Sequence, residues 1–144
     1  MTQYTLAAID LAHPAHHALI LAKAAQLADM EGNTLAVVTV IPDFGMSIVG
    51  SFFQDGAEQK ALEEANQALH KVTEDVLGPD LHAQIKHMVC HGTAYEQILN
   101  IAGEIGAAQI VMAAHRPDFQ DYLIGSTAAR VARHAKCSVT ILRA

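Results

Sequence analysis

The segment Gly125-Ser126-Thr127 has the residue types of an anion-binding helix start. It follows a loop that carries Arg116, and it opens the last predicted helix. The first backbone N–H groups of a helix have no partner inside the helix and lie at the positive end of its dipole, so they favour a phosphate. Glycine lets an anion approach the backbone closely, and the two hydroxyls add donors. The alternative is that Ser126 or Thr127 only caps the helix.

Asp10 is the second candidate, because it ends the first apolar run of the chain. A carboxylate at that place can accept hydrogen bonds from a ribose hydroxyl or an adenine amino group. The alternative is that Asp10 is the N-cap of the next helix. In a parallel sheet, Asp10 and Gly125-Ser126 would converge on one crevice from opposite ends of the chain. Their coincidence predicts a nucleotide site.

The elements that must position these residues alternate between strand and helix. Continuous apolar, β-branched runs such as TLAVVTVI predict strands buried on both faces, and 3.6-residue periods ended by glycine predict helices. The long second helix carries an apolar stripe of Ala61, Ala65, Ala68, Leu69, Val72 and Val76. The predicted strands are 3–9, 34–41, 81–90, 109–114 and 138–143, and the predicted helices are 14–30, 56–77, 95–105 and 126–135.

This order predicts an α/β fold: a doubly wound, five-stranded parallel sheet formed by a single domain over residues 1–144. In such sheets ligands bind beyond the carboxyl ends of the strands, at the switch point where strand order reverses. The rule selects Asp10 and the segments 40–43, 91–93 and 113–127.

Composition excludes several classes of protein. The chain has 144 residues, of which 51% are hydrophobic and 17% are charged, with a net charge of −6. These values exclude a disordered chain and argue against binding to nucleic acid. No apolar run reaches the length of a membrane span, and we expect a cytoplasmic protein without a membrane partner. Two cysteines allow at most one disulfide. Residues 101–144 carry a small excess of basic residues, which would favour the binding of one small anion.

The sequence predicts no metal site, although nine histidines are present. Two groups of potential ligands are His13, His16 and His17, and, on the third strand, His87, Cys90 and His91. Pro14 puts His13 outside the regular helix, so we interpret the first group as a solvated helix start. Strand alternation puts Cys90 on the face opposite His87 and His91.

The motifs of common enzymes are absent from the sequence. It contains no G-x4-G-K-S/T loop, no G-x-S-x-G elbow and no H-E-x-x-H pair. Asp118 and Asp121 could bind Mg²⁺ or orient a water near a phosphate, and the alternative is that they are solvated loop residues. We therefore expect no catalytic residues, and at most weak hydrolysis of a bound nucleotide.

The sequence resembles the universal stress protein family over essentially its whole length. The resemblance rests on AAID in the first strand, VVTVIPD in the second, HGTAYEQIL entering the third helix, and AAHRPDFQDYLIGSTAARVARHAKCSVTILR at the C-terminus. ATP-binding members carry a G-x2-G-x9-G-S/T motif. In this chain Gly125-Ser126 forms the end of the motif, and Ala113 and Arg116 replace its first two glycines. The loop between Arg116 and Gly125 is one residue shorter than in the motif. HRPDFQDYLIGS resembles a short subgroup similar to the enterobacterial F- and G-type stress proteins.

The resemblance implies a nucleotide-binding role for eight residues. It assigns Ala8 and Asp10 to the adenosine end and Val40 to the adenine. It assigns Ala113, Arg116, Gly125, Ser126 and Thr127 to the phosphates. ATP or AMP is the expected ligand, with Mg²⁺ as a further candidate. The guanidinium of Arg116 would suit a phosphate where the usual glycines are missing.

The resulting hypothesis is a regulatory stress-response homodimer that binds an adenine nucleotide and is read by an unknown protein partner. The apolar last strand, predicted at the sheet edge, would form the dimer, because an edge strand has unpaired backbone groups. A slow ATPase that uses Arg116 and a nucleotide-free dimeric adaptor remain as alternatives. The loop 42–55 could touch a ligand or partner, or close over the adenine through residues 44–53; surface packing is the alternative.

Overall fold

A computed structural model describes residues 2–41, 57–114 and 125–143. Its five strands are β1 (Tyr4–Ile9), β2 (Thr34–Ile41), β3 (Lys86–His91), β4 (Ala107–Ala113) and β5 (Ser138–Leu142). Its α-helices are α1 (His17–Glu31), α2 (Ala57–Leu77), α3 (Pro79–His82), α4 (Ala94–Ile105) and α5 (Ser126–His134). A 3-10 turn, Pro14–His16, precedes α1.

The strands form one parallel sheet in the order β3-β2-β1-β4-β5. The chain runs outward from β1 to β3 on one side and then returns to add β4 and β5 on the other. The strand order therefore reverses between β1 and β4, which makes this the switch point. The predicted doubly wound α/β fold is confirmed, and β5 lies at an edge as expected.

The sheet is buried on both faces because its central strands are apolar throughout. Ala7, Ile9 and Val37 face one core with α1 and α2. Leu6 and Val38, from the same two strands, face the other core with α4 and α5. Successive residues of one strand thus point to opposite layers, as period-two geometry requires.

Glycines end two helices as predicted. Gly32 after α1 and Gly106 after α4 adopt left-handed conformations with φ of 70° and 66°, and their N–H groups bond to carbonyls of the last helical turn. A residue with a side chain is strained there, so glycine is the expected helix stop.

Several details differ from the sequence prediction, among them the start of β4 at Ala107 rather than at residue 109. The four-residue helix α3 follows Gly78 and includes residues 81–82, which were predicted in the third strand, so β3 begins at Lys86 rather than at residue 81. On α2, Ala68 is exposed although it was predicted on the apolar stripe, whereas Thr73 is fully buried. In the part of the chain that the structure describes, no helix is long and apolar enough to cross a membrane.

Candidate functional site

A pocket of about 580 Å³ opens at the carboxyl ends of the central strands. This volume lies in the range of small-molecule sites. The pocket spans the switch point, where the sheet leaves a crevice between the connections on its two faces. Its lining residues are Ala8, Ile9, Asp10, Leu11, Ala12, His13, His16, Ile20, Val38, Thr39, Val40, Ile41, Gly92, Ala94, Ile98, Met112, Ala113, Thr127 and Ala128.

The walls of the pocket are mainly apolar. Ala8 and Val38 come from neighbouring positions of β1 and β2, since the two residues are paired in the sheet. Ile98 on α4 and Met112 on β4 are buried, and both contribute apolar surface to the wall of the pocket. Such walls can hold a flat ring system through contact and the exclusion of water.

Asp10 supplies a carboxylate at the rim. Its side chain is 61% exposed, and Oδ1 accepts a hydrogen bond from the Ala12 backbone N–H at 2.9 Å. Oδ2 lies 2.8 Å from Nδ1 of His13. The carboxylate is thereby oriented by the turn that follows β1 while its remaining lone pairs face solvent.

Asp10 is not the N-cap of the next helix, which corrects the alternative drawn from the sequence. The N-caps are His13 for the 3-10 turn and His16 for α1. Asp10 instead stabilises the turn between β1 and the first helical segment. The buried His17 contributes from α1, because its Nε2 donates to the Asp10 carbonyl oxygen at 2.8 Å.

The start of α5 borders the pocket through Thr127. Gly125 is the N-cap, with φ 84° and ψ 159°, so neither Ser126 nor Thr127 occupies the capping position that the sequence left open. A glycine N-cap has no side chain to satisfy the first N–H groups of the helix. Ser126 is exposed at the first helical position, and Thr127 is half-buried against the pocket.

The structure brings together five of the eight predicted residues. Ala8, Asp10, Val40, Ala113 and Thr127 line one pocket. Gly125 and Ser126 directly precede Thr127 in the chain but do not line the pocket. Arg116, Asp118, Asp121 and the loop 42–55 lie outside the described residues.

Gly92 is a lining residue that sequence reasoning placed only within the segment 91–93. It follows β3 with φ 130°, and its N–H bonds to the Ile41 carbonyl oxygen at 3.0 Å. The His-Gly-Thr sequence after a strand could have revealed it as a turn glycine. Ile98 and Met112 were also missed as lining residues, because their apolar side chains are indistinguishable in sequence from ordinary core.

We expect Gly92→Ala to destabilise the protein by about 1 to 3 kcal/mol, because alanine is strained at this positive φ. Its added Cβ would also lie 3.2 Å from Nε2 of Gln97. Gly103→Ala is the matched control: Gly103 lies within α4 with open space around it, and alanine there should stabilise by about 0.5 to 1 kcal/mol. Urea denaturation measures both. If both substitutions changed the free energy of unfolding equally and in the same direction, the assignment of backbone strain to position 92 would be wrong.

Comparison with known proteins gives the family. A family model described as the universal stress protein family matches residues 1–143. The chain belongs to this family. Universal stress protein G of Shigella flexneri is 33% identical over 61 residues, which cover 42% of this chain and 43% of that protein. The predicted family is therefore confirmed, and the match to that relative spans less than half its length.

Solved structures share the fold of this universal stress protein. The hypothetical protein MJ0577 has a TM-score of 0.76 at 21% identity, with 100% of this chain and 97% of that one covered. The universal stress protein UspA of Lactobacillus plantarum has a TM-score of 0.67 at 21% identity, covering 98% and 97%. A universal stress protein solved in complex with cAMP has a TM-score of 0.60 at 20% identity, covering 99% and 97%.

Proposed function

We propose that this universal stress protein binds an adenine nucleotide, ATP or AMP, in the switch-point pocket and acts as a regulatory homodimer in the stress response. The observation that carries the proposal is the pocket itself. It combines apolar walls, an oriented carboxylate and the start of a helix within about 580 Å³. These three features match the base, the sugar and the phosphates of a nucleotide.

The adenosine end would lie against β1 and β2. Val40 and Ala8 offer apolar surface to the adenine ring, and both line the pocket. Asp10, at the rim between the 3-10 turn and β1, would accept hydrogen bonds from ribose hydroxyls. A carboxylate serves this purpose because it offers two acceptor oxygens and no donor.

The phosphate end would lie at the start of α5. The backbone N–H groups of Ser126 and Thr127 belong to the first turn of that helix, where the dipole favours negative charge. Gly125 has no side chain that could block this approach, and Ala113 at the end of β4 lines the same pocket. We assign Arg116 to the phosphates as well, with Mg²⁺ as a companion cation of ATP.

A relative supports the choice of ligand class. The fold of this chain matches 97% of the length of the universal stress protein that was solved in complex with cAMP. cAMP carries the same adenine ring, ribose and phosphate chemistry that the pocket features suit. We infer adenine selectivity for this chain by the same reasoning, and the choice between ATP and AMP depends on how far the phosphate end extends.

The dimer would form through β5. Among the described residues this strand pairs only with β4, and it lies at the end of the sheet. Its Val139 and Ile141 are half-buried against the core of α4 and α5, and Leu142 against the other core. An apolar edge strand exposes unpaired backbone N–H and C=O groups, and pairing with β5 of a second copy would satisfy them. We also propose a cytoplasmic location, because both cysteines are free thiols.

Calorimetric titration with ATP, AMP and GTP tests the nucleotide proposal. We expect saturable binding of the adenine nucleotides and weaker binding of GTP. Asp10→Asn should weaken ATP binding by about tenfold, equivalent to about 1.4 kcal/mol, since one strong acceptor is lost. Asparagine keeps the oxygen that accepts from the Ala12 N–H, so the turn after β1 is preserved.

Asp29→Asn is the matched control for this substitution. Asp29 is an exposed residue near the end of α1, and the change removes the same charge away from the pocket. ATP affinity should remain unchanged in this variant. The proposal fails if the native protein, freed of co-purified nucleotide by refolding, binds none of the three nucleotides.

A further inference from the structure

Three histidines from separate elements meet on the face of the sheet that α2 covers. His70 lies on α2, His82 ends α3, and His87 is the second residue of β3. One ring nitrogen from each lies within 4.8 Å of the others. We propose that these three side chains form a binding site for a divalent transition-metal ion of the Zn²⁺ type, separate from the nucleotide pocket.

The ring geometry of this histidine group is compact. Nδ1 of His70 lies 2.9 Å from Nε2 of His82, so these two nitrogens face each other directly. The rings of His70 and His87 stack with centroids 3.7 Å apart. Imidazole nitrogens that share one small volume are the preferred ligands of Zn²⁺, Cu²⁺ and Ni²⁺.

The turn between α2 and α3 brings the group together. Gly78 has φ 89° and reverses the chain after α2, and Pro79 begins α3. The His82 N–H bonds to the Gly78 carbonyl oxygen at 3.0 Å, which fixes the last residue of α3 beside α2. Ile85 is buried in the core and anchors the chain where it enters β3.

Polar side chains lie next to the rings of His82 and His87, as they usually do around the histidine ligands of metal sites. Metal-binding histidines usually donate their second ring N–H to a carboxylate, a carbonyl or another acceptor. Nδ1 of His82 lies 3.6 Å from Oε2 of Glu74 and faces away from His70, while its Nε2 faces His70. This distance is longer than a hydrogen bond, so Glu74 would act as a positioning residue for His82 only if the two side chains moved closer on metal binding.

The buried Thr73 orients His87. Its Oγ1 lies 3.0 Å from the His70 carbonyl oxygen and 2.7 Å from Nε2 of His87. The Thr73 hydroxyl therefore bridges the His70 carbonyl oxygen and the His87 ring. The backbone of Ile85 also bonds to the His87 ring, so Thr73 and Ile85 together orient this ring.

Burial favours the neutral form of His70 and His87, which is the form that binds metals. Burial, followed by the neighbouring His70 and His82, lowers the pKa of His87 to about 4. Burial, followed by His82, lowers the pKa of His70. Neutral imidazoles bind a cation without first losing a proton to solvent. A bound metal would also replace the hydrogen bond between His70 and His82.

The histidine group lies at the other end of β3 from the pocket. Gly92, which lines the pocket, is five residues beyond His87, or about 16 Å along an extended strand. None of the three histidines is among the described residues that line the pocket. The side chain of His82 is 19% exposed, so an ion and a water or small ligand in the fourth position can reach the group.

The test is calorimetric titration of Zn²⁺ into the full chain after treatment with a chelator. We expect one equivalent to bind. His82→Gln should weaken this binding at least about 100-fold, because it removes one of three ligands, and Glu74→Gln should weaken it by about 10- to 100-fold. The double variant His13→Gln, His16→Gln removes two histidines elsewhere and should bind Zn²⁺ as the native chain does.

Co²⁺ absorption of the native protein gives a second readout that does not depend on a variant. We expect d–d bands of a nitrogen-ligated site without thiolate-to-metal charge transfer, because Cys90 packs in the opposite core layer from the α2 side. Burial raises the pKa of Cys90 and of Cys137, which further disfavours thiolate ligands. The proposal is overturned by absence of saturable Zn²⁺ binding, by a thiolate band, or by equal affinity in native and His82→Gln chains.

Discussion

Replacing Ala8 with leucine is expected to weaken ATP binding at least about 100-fold, or by about 2.7 kcal/mol. Ala8 lies on β1 at the wall of the pocket and is 8% exposed. The longer side chain would extend into the pocket space proposed for the adenine. Calorimetric titration with ATP measures the loss, and thermal denaturation checks that the fold is intact.

Ala18→Leu is the matched control for this pocket-filling change. Ala18 is exposed on α1, and the substitution adds the same atoms at a position that does not line the pocket. ATP affinity should be native in this variant. If Ala8→Leu binds ATP as tightly as the native chain while remaining folded, the adenine does not lie against β1, and the proposed orientation of the nucleotide is wrong.

Val139→Pro is expected to convert the proposed dimer into a monomer. The Leu142 carbonyl oxygen accepts from the Ala114 N–H at 2.8 Å and therefore points toward β4. Backbone groups of alternate residues point to opposite sides of a strand, so those of Val139 and Ile141 point outward. Proline at Val139 removes an outward donor without removing a bond between β4 and β5.

Sedimentation at micromolar concentration distinguishes the two states. Val139→Pro should sediment as the 15.4 kDa chain, and the native protein as about twice that mass. Val139→Ala is the control: it shortens the same side chain but keeps the N–H group, so it should remain dimeric. A native protein that sediments at 15.4 kDa would refute the dimer, and a dimeric proline variant would move the interface away from β5.

The fold could be predicted because local signals and global burial agree. The run TLAVVTVI became β2, with both faces covered, since continuous β-branched residues suit a strand between two helical layers. Gly32 and Gly106 ended their helices for the reason expected from their backbone freedom. Helix α3 was missed, because the Gly78-Pro79 pair is also a strong loop signal and four residues have no measurable period.

The site could be predicted in part, since Asp10 and Thr127 reach one pocket from distant parts of the chain. The rule that ligands bind at the carboxyl ends of parallel strands located both without any contact information. The role of Asp10 in its own turn was not predicted, because an Asx turn and an N-cap use the same residue types.

The histidine group could not be predicted from sequence spacing. His70, His82 and His87 are separated by a helix end, a tight turn and a strand start, and no ligand motif has that spacing. Sequence reasoning compared His87 with Cys90 and His91 on its own strand and therefore predicted no metal. Only the packing of α2 and α3 against the edge strand brings the three rings together.

The central position of β1 has a consequence for how the chain acquires its pocket during synthesis. β1 is synthesised well before β4, yet the pairing of these two strands joins Leu6 to Ile110. Contacts of such long sequence separation form slowly, because the intervening chain must be ordered first. The nascent protein therefore has only half of its switch-point crevice until β4 leaves the ribosome. The proposed nucleotide would therefore stabilise the chain only after β4 has been synthesised, and not the earlier folding intermediates.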